Sequence, residues 1–349
     1  MRQRHYTYLL LLAAALAVAA CSTDGDAGGA TDGGRIAIEV RADVAGATRG
    51  TSASHLNAEG KQFTAGTLVD LFVTQSDTPP GSSTATDYNG RKQNLKADGL
   101  GGFTWHATTD RSGDHVPHYW PSQGNSLTFY AYYPAGKLAE KGVSSITSTS
   151  GSQELSVATD QGAADAAEKE DLLFGMPAAN PVASPITAEA TYLTTSARSG
   201  VVPLKFTHSL SKVVVRIKPD GSSIGDSSTG GPAADGSGYV AHQYGYDTFG
   251  NDLFTSADLT LGSDNMQNQY SLALTTGVAT ATGSAEQTFK LKKNTDPVPA
   301  TDGEGYQVYY CIIPPGQALN GKQITLALST GRYGIVYVCA SSCLLFAYS

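Results

Sequence analysis

Hydrophobicity in this chain alternates with a period of two residues far more often than it recurs at helical spacing, which restricts it to architectures built from strands. The clearest case runs from Ile36 to Val44: Ile36, Ile38, Val40, Ala42 and Val44 share one face, while Glu39, Arg41 and Asp43 share the other. Successive side chains leave opposite faces of the pleat, so this pattern predicts a strand packed on one side only. Further strands are expected over Leu68–Val73, around Phe103 and Trp105, and over Leu127–Tyr133, where Leu127, Phe129, Ala131 and Tyr133 share a face. Leu204, Phe206, His208 and Leu210 keep one parity, whereas Val213, Val215 and Ile217 have moved to the other. A one-residue slip inverts every side chain, so a bulge or turn is expected near Ser211.

The last third repeats the pattern over Ala257–Leu261, Tyr270–Leu274, Phe289–Leu291, Tyr306–Ile313 and Ile324–Leu328, separated by Gly, Asp, Asn and Pro clusters. Long polar loops are expected at about 75–100, 135–170 and 219–237, and the alanine-rich stretch from Gly162 to Glu170 is the best helical candidate. No parallel βαβ rhythm or sequence repeat is visible. Two β-sandwich domains follow, residues 36–218 and 219–349, with the boundary in the Gly- and Ser-rich stretch after Pro219.

The amino terminus carries a different signal. Arg2 and Arg4 precede an apolar run from Tyr8 to Ala20 that is too short to span a bilayer, and Val18-Ala19-Ala20-Cys21 follows. Residues 1–20 read as an export signal ending in a lipobox, with Cys21 as the acylated residue; an ordinary cleaved signal with an incidental cysteine is the alternative. Residues 21–35 are small and polar, the composition of a flexible tether. Ser22 rather than aspartate follows the cysteine, which favours an outer-membrane, surface-exposed destination over retention at the inner membrane.

The net charge is −8 over 349 residues, and removing the leader leaves 21 basic against 31 acidic side chains. That balance argues against nucleic acid as a partner, since phosphate binding needs clustered Lys and Arg. The remaining cysteines are Cys311, Cys339 and Cys343, an odd number that cannot all pair internally. Cys339 and Cys343 lack the two further ligands a structural zinc site requires, so they read as small buried hydrophobes or as one disulfide.

Chemistry is sparse. Gly225-Asp226-Ser227 lies in a glycine-rich linker with no rigid elbow or visible base, and Pro117 prevents His115 and His118 from sharing a helical face. His208 is expected as a hydrogen-bonded core histidine. No enzyme activity, catalytic residue, metal or cofactor is expected. Tyr130 and Tyr132 face away from their apolar neighbours and are candidate contacts for sugar rings.

Several segments stand in order along the chain: Thr48-Arg49, Phe63 with Gly66-Thr67-Leu68, Tyr119-Trp120-Pro121, Leu127-Thr-Phe-Tyr-Ala-Tyr-Tyr-Pro134, Asp171-Leu-Leu-Phe-Gly175, the run from Leu204 to Ile217, and Ile312-Ile313-Pro314. Together they resemble the fimbrillin family of Bacteroidetes surface pili, particularly the fimbrillin-like lipoproteins related to minor-fimbriae subunits. The resemblance implies two transthyretin-like β-sandwich domains in tandem and a pilus or adhesin subunit exported as a lipoprotein. It also implies proteolysis after an arginine near the first strand, loss of that strand, and its replacement by a donor strand from another fimbrial subunit. Ile36, Ile38, Val40 and Val44 would be the plugs of the displaced strand, and Arg49 the first processing candidate, with Arg35 and Arg41 as rivals.

The tail from Gly334 to Ser349 is apolar where a detachable alternating strand would be expected. Its alternation suits either a native last strand buried on both faces or a truncated or frame-shifted end, leaving stalk, tip and accessory roles open. A lipid-anchored glycan-binding protein is the alternative function, with a host or bacterial surface glycan or protein as the ligand in either case.

Overall fold

The computed structural model describes residues 36–45, 55–57, 59–75, 88–106, 117–121, 126–163, 166–182, 201–217, 258–262, 266–283, 286–293, 307–317, 323–327, 333–337 and 345–348. Seven strands close into a barrel in the order β1 (Glu39–Val44), β4 (Gly102–His106), β3 (Asn89–Ala97), β2 (Leu68–Gln75), β5 (Leu127–Tyr133), β7 (Leu173–Pro177) and β8 (Val201–His208). Neighbours run antiparallel except β1 and β8, which are parallel. Barrel closure therefore depends on the first strand, which joins the two ends of a six-stranded sheet.

A second assembly contains three sheets. One has the order β13 (Thr288–Lys290), β10 (Asp258–Gly262), β16 (Gln323–Ala327), β17 (Tyr333–Tyr337) and β18 (Leu345–Tyr348). The others are β12 (Ala279–Thr282), β11 (Gln269–Ala273) and β6 (Ser152–Ser156), and β14 (Lys292–Lys293), β15 (Gln307–Ile313) and β9 (Ser211–Ile217). The helix expected between Gly162 and Glu170 is the single short turn α1 (Ala166–Glu170).

The chain is all-β as expected, but its first core lies inside a closed sheet rather than between two sandwich layers, because β1 pairs on both edges. Strand pairing crosses residue 218: β6 and β9, both earlier than it, pair with β11 and β15. The parity inversion near Ser211 marks this crossing. Leu204 and Phe206 pack in the barrel core, whereas Leu210 and Val215 pack in the second.

Two of the expected loops need correction. The 75–100 stretch contains β3, whose sequence NGRKQNLKA hides its strand character because only Leu95 and Ala97 at its end join the barrel core. The 135–170 stretch contains β6 and α1, and β6 buries Leu155 against the second core.

Strands β2, β5 and β7 are walls shared by both cores. Val69, Leu71 and Val73 of β2 face the barrel interior while Phe72 faces the second core; Leu127, Phe129 and Ala131 of β5 face inward while Tyr130 and Tyr132 face the second core. The junction is close-packed. At the turn joining β11 to β12, Gly277 has a φ of +68°, and a Cβ there would collide with the Phe174 ring of β7.

Candidate functional site

The alternating face of β1 is buried as its sequence implies. Ile36, Ile38, Val40, Ala42 and Val44 lie in the barrel core, Ile38 and Val40 at 2% exposure, while Arg41 and Asp43 are exposed. Fully burying such side chains stabilises by about 1.5–3 kcal/mol each, an upper estimate because an unfolded chain already covers some apolar surface. Around them stand Phe63, Phe103 and Phe206, with Phe63 edge-on to Phe206 at a centroid distance of 4.9 Å.

The two flanks of β1 differ. Along β8 the parallel register is continuous, from Glu39 opposite Val201 to Val44 opposite Phe206. The other flank is assembled from separate pieces. Ile38 N–H donates to His118 O at 2.7 Å and Trp120 N–H donates to Ile36 O at 2.9 Å; β4 then pairs only at Val40–Phe103 and Arg41–Gly102; finally Val44 N–H donates to Lys61 O at 2.8 Å. β1 is thus paired on both sides rather than sitting at an open edge, yet only one side is an unbroken ladder.

Trp105 occupies one of the gaps. Its indole Nε1–H donates to Ile38 O at 3.1 Å in a buried setting, and its ring stacks on His118 at 4.4 Å. Tyr88 O–H donates to Tyr119 O on the same side of the barrel.

Past the end of β1, residues 55–57 and 59–64 fold over the barrel: Leu56 bridges Phe63, both are buried in the barrel core, and Thr64 N–H donates to His55 O at 2.9 Å. His55, 4% exposed, stacks on Tyr133 at 4.2 Å. Its Nε2 stands 3.4 Å from Asp171 Oδ2, an ion-pair distance without hydrogen-bond alignment, while His208 Nδ1 contacts the other Asp171 oxygen at 2.7 Å. Burial opposes the charge on Asp171, but the two facing imidazoles outweigh it and hold the carboxyl well below the usual range. The barrel cap, α1 and the end of β8 therefore meet at one carboxylate.

Helix α1 adds links to the second core. Glu168 accepts from Lys292 Nζ at 2.8 and 2.9 Å and from Tyr310 O–H at 2.5 Å, and Glu170 accepts from Lys137 Nζ at 2.8 Å. Burial raises the Glu168 pKa, yet Lys292 and Tyr310 bring the net shift below the ordinary value.

Tyr130 and Tyr132 are not surface contacts. Both are buried, Tyr132 at 1% exposure, and Tyr132 O–H donates to Leu274 O at 2.6 Å. Desolvation raises the pKa of both phenols. An open cavity of about 680 Å³ is lined by Tyr133, His55, Lys92, Thr67 and Gly136 among others, and neither Tyr130 nor Tyr132 is part of that lining. The sequence shows an uncovered face because the layer covering it comes from distant residues such as Leu272 and Leu274.

His208 is half-exposed, emerging from the core face that Leu204 and Phe206 define. His118 is half-buried beneath Trp105. Cys311 is a free thiol at 0% exposure, and burial pushes its pKa up to about 12. Cys21, Arg35, Arg49, His115, Gly225-Asp226-Ser227, Cys339 and Cys343 lie outside the described residues. Sequence reading missed the roles of Trp105 and of the His55–Asp171–His208 cluster. The Phe103/Trp105 alternation marked the tryptophan as core, but nothing local indicated what its N–H would meet.

The fimbrillin-like family profile matches residues 57–342. No curated protein matches the sequence. Among solved structures, a candidate cell adhesion protein from Bacteroides ovatus superposes with a TM-score of 0.50 at 13% identity, covering 90% of this chain and 96% of that one. A second candidate cell adhesion protein, from Bacteroides uniformis, gives 0.49 at 16% identity over 91% and 98%. A fimbrial protein from Bacteroides vulgatus gives 0.40 at 15% over 89% and 87%. At these identities the first likeness speaks for the fold alone, but the profile spans most of the sequence, and the chain belongs to the fimbrillin-like family.

Proposed function

We propose that the protein is a structural fimbrial subunit or fimbria-associated adhesin, without enzymatic activity, that joins other subunits by exchanging β1 for a donor strand. The supporting observation is the position of β1: it is the first described strand, it closes the barrel, and its three inward side chains, with Ile36 and Ile38 just before it, can be supplied by any strand of the same pattern. Removing it exposes two rows of backbone hydrogen-bonding groups above an apolar interior, which is the condition for β-augmentation. Export as a lipoprotein acylated at Cys21, anchorage at the outer membrane and later residence in a surface fimbrium complete the proposal. Within it, the two units are transthyretin-like, divided near residues 218 and 219, with β6 and β9 contributed across that division.

Processing is assigned to Arg49. Arg41 lies inside β1 with ladder partners on both sides, so cutting there requires the strand to leave first. The glycan-binding alternative drew on the export route and on Tyr130 and Tyr132 as exposed contacts, and the burial of both tyrosines removes the second of these grounds.

Treating the mature chain with an arginine-specific protease tests the proposal. The expected product is a ladder of sodium-dodecyl-sulfate-resistant oligomers that disappears in Arg49→Ala. A cleaved chain that stays monomeric at high concentration, alone and with other fimbrial subunits, would refute assembly by strand exchange.

A further inference from the structure

Resting on the reading that β1 is exchangeable, we propose that Trp105 is the main-chain grip of the slot. In this reading the slot takes an extended segment of another subunit that runs parallel to β8, carries apolar residues at alternate positions, and has a small residue where Ala42 stands.

The argument begins with the asymmetry of the flanks. β8 offers six consecutive partners, which β1 takes in parallel register, and in the proposed exchange that direction carries over to the strand that replaces it. The opposite flank passes from residues 118–120 to β4, and Ile38 O falls between these pieces. A buried carbonyl without a donor is costly, and here the donor is a side chain, the indole Nε1–H of Trp105. That ring stacks on His118, and the backbone that carries it is held by the pairing of Trp105 with Leu95 of β3. A contact to the main chain is blind to side-chain identity, so Trp105 holds any strand that presents a carbonyl at this position.

Selectivity then falls to the inward side chains. Ile36, Ile38, Val40 and Val44 are large side chains buried in the barrel core, whereas the position paired with Leu204 is filled by Ala42. When the slot is empty, the Trp105 donor loses its acceptor, so both halves of this hydrogen bond favour refilling.

A full mature chain carrying a site-specific protease sequence after Arg49 would be nicked and mixed with labelled peptides spanning Ile36–Ala45, with exchange read by fluorescence anisotropy. One peptide is all amide; in a second the Ile38–Glu39 amide is an ester, whose carbonyl is a weaker acceptor. The ester is expected to weaken binding to the wild-type slot by roughly tenfold, and Trp105→Phe to weaken the amide peptide by about as much. Combining the two gives far less than the product of the separate losses, and the missing Glu39 N–H cancels in that cycle. Losses that multiply would overturn the role of Trp105. Should Trp105→Phe not fold, exchange protection of the indole N–H in the wild type reads the same contact: protection by the amide peptide and not by the ester supports it, and equal protection overturns it. A peptide with Ala42→Leu is expected to bind at least tenfold more weakly to either protein, and equal binding refutes the size rule. If a nicked chain that remains folded accepts no peptide at all, it is the exchange reading itself that falls.

Discussion

Strands β1 and β5 belong to the same barrel and both alternate, yet they are embedded differently. β1 buries one face and leaves Arg41 and Asp43 in solvent, whereas β5 buries six of its seven residues. The cause is the second core, which packs on the outside of β2, β5 and β7 and does not include β1 among its buried residues. A strand with one buried face can be replaced by any strand of matching pattern. One that faces two cores cannot leave without disrupting both, so the strand proposed for exchange and the strands that couple the cores are different ones.

Truncating the shared wall should produce the largest effect. Tyr132→Ala removes a ring packed against Phe72 and Phe174 and the hydrogen bond to Leu274 O, and is expected to cost about 3–5 kcal/mol, with protection falling in both cores. Ile38→Ala empties one barrel pocket, with an expected cost of about 2–4 kcal/mol and little loss of protection around Leu259 and Tyr270. Urea unfolding combined with amide hydrogen exchange separates these patterns. Equal spread of the two effects would break the comparison.

The same contrast explains what could be read from sequence. β1 was legible because its exposed face carries Glu39, Arg41 and Asp43, so period two survives as polarity. The bounds of β5 were legible too, but the fate of its outer face was not: a tyrosine suits both a solvent edge and a core when its hydroxyl finds a partner, and that partner, Leu274, is 142 residues away. β3 escaped because its polar sequence alternates little, and barrel closure because a parallel pairing between residues 39–44 and 201–206 leaves no local mark. Of the candidate site, the buried alternating face of residues 36–44 was visible and the Trp105 contact was not. Trp105 signals burial by its type, whereas its acceptor is a backbone atom on a distant strand.

Asp171→Asn should produce an intermediate effect, between the two cores rather than within either. At neutral pH the expected cost is about 1–3 kcal/mol, from loss of a charged hydrogen-bond acceptor facing His55 and His208. The folded carboxyl has a depressed pKa, so as pH falls the unfolded chain takes up this proton first. The stabilisation is complete above the unfolded value of about 4 and is lost as pH falls from there towards the folded value. Urea midpoints of wild type and variant should therefore differ at pH 7 and converge below pH 4. A constant gap across that range would mean that Asp171 contributes through packing alone.

The smallest effect is expected on the open face of β1. Arg41 and Asp43 are exposed, and no ion pair fixes Arg41 among the described residues, so Arg41→Ser should change stability by less than about 0.5 kcal/mol. The same substitution on the labelled peptide should leave its exchange into the nicked barrel within about twofold of wild type, since a strand recognised by its inward side chains and its main chain is indifferent to what it shows to solvent. Measured beside Ile38→Ala in the same assay, it sets the scale of discrimination between the two faces. A large loss from Arg41→Ser would mean that the outer face is read as well, and that β1 is less interchangeable than its one-sided burial implies.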